Sequence, residues 1–109
     1  MMKTLCTALA LLLSLAGVTK AEPLHAVASF SILADIVKSV GGAEVEVTSI
    51  VGPDSDAHTY SPTVSDARAV AKADIIFVNG LGFEGWVSDL IAASGNDAPA
   101  IVEIGRAHV

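Results

Sequence analysis

Two short segments of the chain hold residue types that could do chemistry. The first is Asp54-Ser55-Asp56-Ala57-His58-Thr59-Tyr60, set between Pro53 and Pro62. A neutral imidazole ligates zinc and other borderline cations, so binding through one weakens in acid. Proline on both sides restricts the loop, and a ligand held in place beforehand loses less entropy on binding. One histidine is far from a complete site, because a closed zinc site needs several protein ligands. Asp54, Asp56 and Asp66 stand nearby as carboxylate candidates. Asp54 and Asp56 occupy turn positions, where aspartates usually bond backbone N–H groups, and Asp66 suits a helix cap. The Asp54-x-Asp56 pattern resembles the opening of a calcium loop but lacks that loop's glycine and distal glutamate.

The second segment is Gly80-Leu81-Gly82-Phe83-Glu84-Gly85. It reads G-x-G-x-x-G, with Glu103 placed where a ribose-binding acid would be wanted. This is the case for a Rossmann-like enzyme. Two features count against it. The fingerprint belongs on the first strand–helix turn, and here it follows the third strand. Glu84 would also bring negative charge to a place that should welcome a pyrophosphate. The plain alternative is a tight turn whose glycines supply positive φ and close packing. His25 opens a strand and reads as a strand-end histidine. Phe83 and Trp86 read as core or rim packing, while Phe30 and Tyr60 lie on loops where they can shield a site from water.

Positioning these segments requires a frame, and the hydrophobic pattern supplies one. Residues 25–29 form a first strand. Ile32, Leu33, Ile36, Val37 and Val40 make a helical stripe, with Ser31 as its cap and Gly41-Gly42 as its stop. A second strand covers 44–51, and the breaker-rich stretch 52–62 is a long loop. Thr63-Val64-Ser65-Asp66 has the form of a capping box, opening a helix whose face is Ala67, Val70, Ala71 and Ala73. Ile75 to Val78 is a continuous apolar run, as in a strand buried on both faces. Residues 79–82 are a turn. Trp86, Val87, Leu90 and Ile91 mark a third helix that ends at 94–96, and 100–102 begin a fourth strand. The βαβαβαβ order predicts an α/β fold, a parallel sheet with helices on both faces. Right-handed crossovers bring the loops 29–31, 52–62 and 79–82 to the sheet's carboxyl edge, where such sheets bind ligands.

Charge narrows the function classes. The formal net charge is −6, and all 12 acids lie beyond Ala21, facing only Lys38, Arg68, Lys72 and Arg106. Such a surface excludes binding to a nucleic-acid backbone and argues against docking on an anionic membrane. A single cysteine, Cys6, excludes a disulfide framework. Residues 1–21 read as a signal peptide: Lys3, then an apolar run from Leu5 to Val18, then Thr19-Lys20-Ala21 with cleavage expected after Ala21. The run is about 14 residues, roughly 21 Å as helix against about 30 Å of hydrocarbon, so a membrane span is not expected. Cys6 precedes that run, where a lipid-anchor cysteine would follow it. The mature protein is therefore expected in the periplasm or outside the cell, a compartment poor in dinucleotide. At the other end, residues 104–109 spell the translation of a common sequencing adapter. Residues 22–103 are therefore expected to be an incomplete amino-terminal lobe, with Arg106 and His108 outside any site.

Taken together these residues resemble a family. Val27-Ala28-Ser29-Phe30-Ser31-Ile32-Leu33-Ala34-Asp35-Ile36-Val37 followed by Gly41-Gly42, the run from Val51 to Thr63 with Ser65-Asp66, and the run from Ala73 to Trp86 are similar to the zinc/manganese-binding solute-binding proteins of ABC transporters, the ZnuA/TroA type of cluster A-I. The resemblance implies the amino-terminal lobe of a two-lobed, monomeric binding protein that is not an enzyme. It implies capture of Zn²⁺, with Mn²⁺ as the alternative, outside the inner membrane and delivery to an ABC permease. It assigns His58 as the first metal ligand and places the other three beyond Val109. A secreted Rossmann-like enzyme and an adhesion or interaction protein stand as alternatives.

Overall fold

The computed structural model describes residues 22–97 and 99–106. The expected signal peptide at 1–21, with its cleavage site, lies outside them, as do residues 107–109 of the adapter-like tail. Among the described residues, no helix is long and apolar enough to cross a membrane.

Four strands form one all-parallel sheet in the order β2-β1-β3-β4. β1 (Leu24–Phe30) runs through the middle, paired with β2 (Val45–Val51) on one side and β3 (Ile75–Val78) on the other; β4 (Ala100–Glu103) pairs with β3. A strand in that position must be apolar on both faces. β1 meets this demand: Val27 joins the core on one face and Ala28 the core on the other, and both are buried. The α/β fold class expected from the strand–helix alternation is the one observed.

Helices cover the two faces unequally. α2 (Val64–Ala71) and α3 (Val87–Ser94) pack together over one face, where Val70 and Leu90 meet Val27, Ile50, Val51 and Ile76. Among the described residues, α1 (Ser31–Gly41) is the helix on the other face, against β1 and β2, inserting Leu33 and Ala34 beside Ala28. The expected stripe on α1 is only partly used. Ile36 is 53% exposed and Val40 85%, and with Val37 and Phe77 they line an apolar groove of about 330 Å³. One helix cannot cover the face that two helices cover opposite it. For the same reason the run Ile75 to Val78 is fully buried only at Ile76 and Val78.

The helix ends show how far local rules reach. Thr63 and Asp66 form the expected capping box: Thr63 Oγ1 accepts from Asp66 N at 3.2 Å, and Asp66 Oδ2 accepts from Thr63 N at 2.8 Å. Ser31 does not cap α1. It is the first helical residue, and Phe30, with extended backbone, takes the cap position. β1 runs one residue beyond its expected end at Ser29, so the cap position falls on Phe30. At the far end of α3, Gly95 adopts φ 76°, the left-handed turn that stops a helix. Asn96 then donates from Nδ2 to the carbonyls of Val70 and Ala73 at 2.9 and 3.0 Å. It thereby satisfies carbonyls at the end of α2 from the turn that follows α3.

Candidate metal centre

The sheet order reverses between β1 and β3, because the chain steps from β1 to β2 and then crosses back over β1 to β3. In doubly wound sheets the crevice at the carboxyl ends of those two strands is the usual place for a ligand. Here the protein fills it. Glu84 is 7% exposed and turns its carboxylate into the crevice. Oε2 accepts from Asn79 N at 2.7 Å and from the hydroxyl of Ser29, itself buried at the end of β1; Oε1 accepts from Gly80 N at 3.0 Å. With three donors, the buried oxygens of this side chain have their hydrogen-bond partners.

That arrangement removes the physical basis of the dinucleotide reading. The N–H groups that would hold a pyrophosphate already hold Glu84. No helix begins at the glycines, since residues 81–86 form turns and α3 starts only at Val87. The expected turn at 79–82 is therefore longer than its sequence signals show. Gly80 and Gly82 both adopt φ 78°, and Leu81 between them is held at φ 56°, a left-handed conformation that costs a leucine free energy. Glu103, the residue suited to a ribose, lies against the same turn: a Cβ added at Gly80 would come 3.2 Å from its carboxyl group. Two acids at one turn repel an anionic ligand.

The loop after β2 is built the opposite way. Apart from buried Ala57 and half-buried Tyr60, its side chains from 52 to 60 are exposed, while its backbone is fixed from within. Asp56 Oδ1 accepts from His58 N at 2.8 Å, the turn bond expected of an aspartate there, and Ser55 N donates to Gly52 O at 3.3 Å. His58 is exposed at the rim, and its ring lies 6.3 Å, centroid to centroid, from Phe83. Phe83 in turn packs 5.5 Å from Phe30. The three loops expected at the carboxyl edge thus meet, with Phe30, His58 and Phe83 in a row. Asp66 is the helix cap and also accepts from Tyr60 Oη at 2.7 Å. The Tyr60 hydroxyl is pushed above its usual value of 10.0, chiefly by this hydrogen bond, then by burial and by the Asp66 charge.

Among the described residues, no three His, Cys, Asp or Glu side chains converge as a metal site. His25 lies far from this edge, at the start of β1, 3.4 Å from Glu46. Asp74, which the sequence reading passed over, ties that opposite end of the sheet: its Oδ2 accepts from His25 N at 2.9 Å, and its own N–H donates to His25 O at 2.8 Å. The inward turn of Glu84 was also missed, although its glycine neighbours are the signal of a chain able to fold back.

The described residues thus form a parallel sheet whose switch crevice is closed by its own carboxylate, with an imidazole exposed outside that closure. Comparison with known proteins is more specific. Residues 26–108 match the family described as zinc-uptake complex component A, periplasmic (ZnuA), and the chain belongs to that family. It is 44% identical over 70 residues to the manganese-binding lipoprotein MntA of Halalkalibacterium halodurans, covering 64% of this chain and 23% of that protein. Against the MntA of Bacillus subtilis it is 34% identical over 80 residues, covering 73% and 26%. The chain thus spans about a quarter of the length of these curated relatives. Among solved structures, the Mn-bound periplasmic metal-binding protein of Candidatus Liberibacter asiaticus matches with a TM-score of 0.70 at 28% identity, over 79% of this chain and 32% of that one. A zinc-bound ZnuA deletion mutant matches with a TM-score of 0.70 at 26% identity, over 80% and 33%.

Proposed function

We propose that this chain is the amino-terminal lobe of an extracytoplasmic binding protein that captures a divalent transition metal and passes it to an ABC permease, with His58 as one ligand. The observation that carries the proposal is the contrast at the carboxyl edge. The anion-binding amides are taken by Glu84, while the one imidazole there faces outward from a stiffened loop beside Phe83. The remaining ligands come from outside the described residues. The acidic balance of the chain also favours a cation as cargo. The role is capture, not catalysis.

Zn²⁺ is the first reading, supported by the name of the matched family. Mn²⁺ is the second, favoured by relatives named for manganese. In a set of nitrogen and oxygen ligands Zn²⁺ binds more tightly than Mn²⁺ whichever metal is carried in the cell, so the order of affinities alone does not name the cargo. The test is a chelator-competition titration of the complete gene product and of its His58→Ala variant with each metal. The expected result is tight binding by the parent and a loss of about a hundredfold or more in the variant. Unchanged affinity in the variant removes His58 from the site.

A further inference from the structure

We propose that Trp86 is the positioning residue of the metal-ligand loop, holding the peptide immediately before His58 so that the imidazole is aimed before a cation arrives. This rests on the reading of His58 as a ligand. Loop 52–62 has bonds of its own, but these fix only its local shape. Among the described residues, no hydrogen bond holds the imidazole itself. Its direction therefore depends on where the backbone is held.

Trp86 holds it from two sides. Its indole Nε1–H donates to the carbonyl of Ala57 at 2.6 Å, a short hydrogen bond to the residue directly preceding His58. Ala57 itself is buried in the core. Two residues beyond His58, the ring of Tyr60 meets the indole edge-on, 5.4 Å from it. The Tyr60 hydroxyl is in turn fixed by Asp66. Trp86 thus grips the chain before the imidazole and the ring after it.

The other end of this clamp is firm. Trp86 occupies the cap position of α3, yet its side chain makes no capping bond there and serves the loop instead. Two residues earlier, Glu84 pins the same turn to Ser29 at the end of β1 and to the amides of Asn79 and Gly80. One residue before Glu84, Phe83 sets its ring beside that of His58. The position of His58 is therefore referenced to the sheet through one turn: Ser29 to Glu84, and Trp86 to Ala57.

Simple packing and positioning give different results on substitution. If Trp86 only fills space, Trp86→Phe lowers the melting temperature and leaves metal affinity alone. If it positions the loop, removing the N–H while keeping an aromatic ring weakens metal binding about fivefold, the effect of one lost hydrogen bond, mostly through faster release. The experiment titrates Zn²⁺ into the complete gene product, its W86F variant and its H58A variant by chelator competition. It also follows the indole ¹⁵N–¹H resonance of Trp86 in the parent, which reports even if W86F folds poorly. We expect that resonance to be protected from exchange without metal and to shift with stoichiometric Zn²⁺. W86F affinity within about twofold of the parent, or a Trp86 resonance unmoved while Zn²⁺ binds, overturns the inference. Binding lost in H58A but intact in W86F overturns this inference alone. Binding intact in H58A overturns the ligand reading, and the positioning role with it.

Discussion

The loops after β2 and after β3 meet at the same edge of the sheet, and each brings ionisable side chains there. They use them in opposite ways. After β3, a glycine-rich turn folds back and consumes its carboxylate: Glu84 is buried with three donors. After β2, a proline-bounded loop spends a different carboxylate, Asp56, on its own backbone and leaves the imidazole outside. A residue's chemistry at such an edge is decided by whether the chain has already satisfied it. The motif that looked most like an enzyme signature is the one the protein has closed.

Breaking each half of this contrast should give distinct phenotypes. The largest effect belongs to His58→Ala, which should abolish most metal affinity while leaving the metal-free melting temperature nearly unchanged, because the side chain is exposed and lightly packed. Glu84→Ala should do the reverse first. It strands three buried or half-buried donors, so it should cost about 3 kcal/mol of stability in a urea titration, with any loss of metal binding secondary.

A third test sharpens the boundary between the regions. Because Tyr60 titrates above its usual value in the folded protein, the stabilisation linked to it is complete below pH 10 and drains away as the pH rises through the folded value. Stability measured against pH should fall across that alkaline window in the parent. Tyr60→Phe should flatten Tyr60's contribution to that fall and cost about 1 kcal/mol at neutral pH. The smallest effects belong to the helix ends. Thr63→Ala should remove about 1 kcal/mol by opening the capping box. Asn96→Ala should remove a similar amount by taking a donor from the carbonyls of Val70 in α2 and Ala73 just beyond it.

What could be read in advance follows the range of the interactions. The capping box at Thr63 spans three residues and was legible, as was the Asp56 turn that shapes the His58 loop. The alternation of strands and helices was legible because apolar periodicity is itself local. Glu84 was not, since its partner Ser29 lies 55 residues away and a carboxylate beside glycines looks solvated in sequence. The Trp86 bond to Ala57 spans 29 residues and was read only as packing. The stripe on α1 was visible, but its periodicity could not show that a single helix would share the whole of one sheet face. The boundary at Ser31 failed for a related reason: where β1 stops depends on its pairing with β2 through Phe30 and Val51, not on the strand's own residues.

The plug that Glu84 makes has a consequence for traffic. On the proposed reading, with the switch crevice taken by Glu84, the passenger has its seat on the outside step at His58. An ion seated there lies open on this side, since His58 is exposed among the described residues. Boarding and departure then depend on how closely a second body leans over the step, and the lobe itself can stay still throughout.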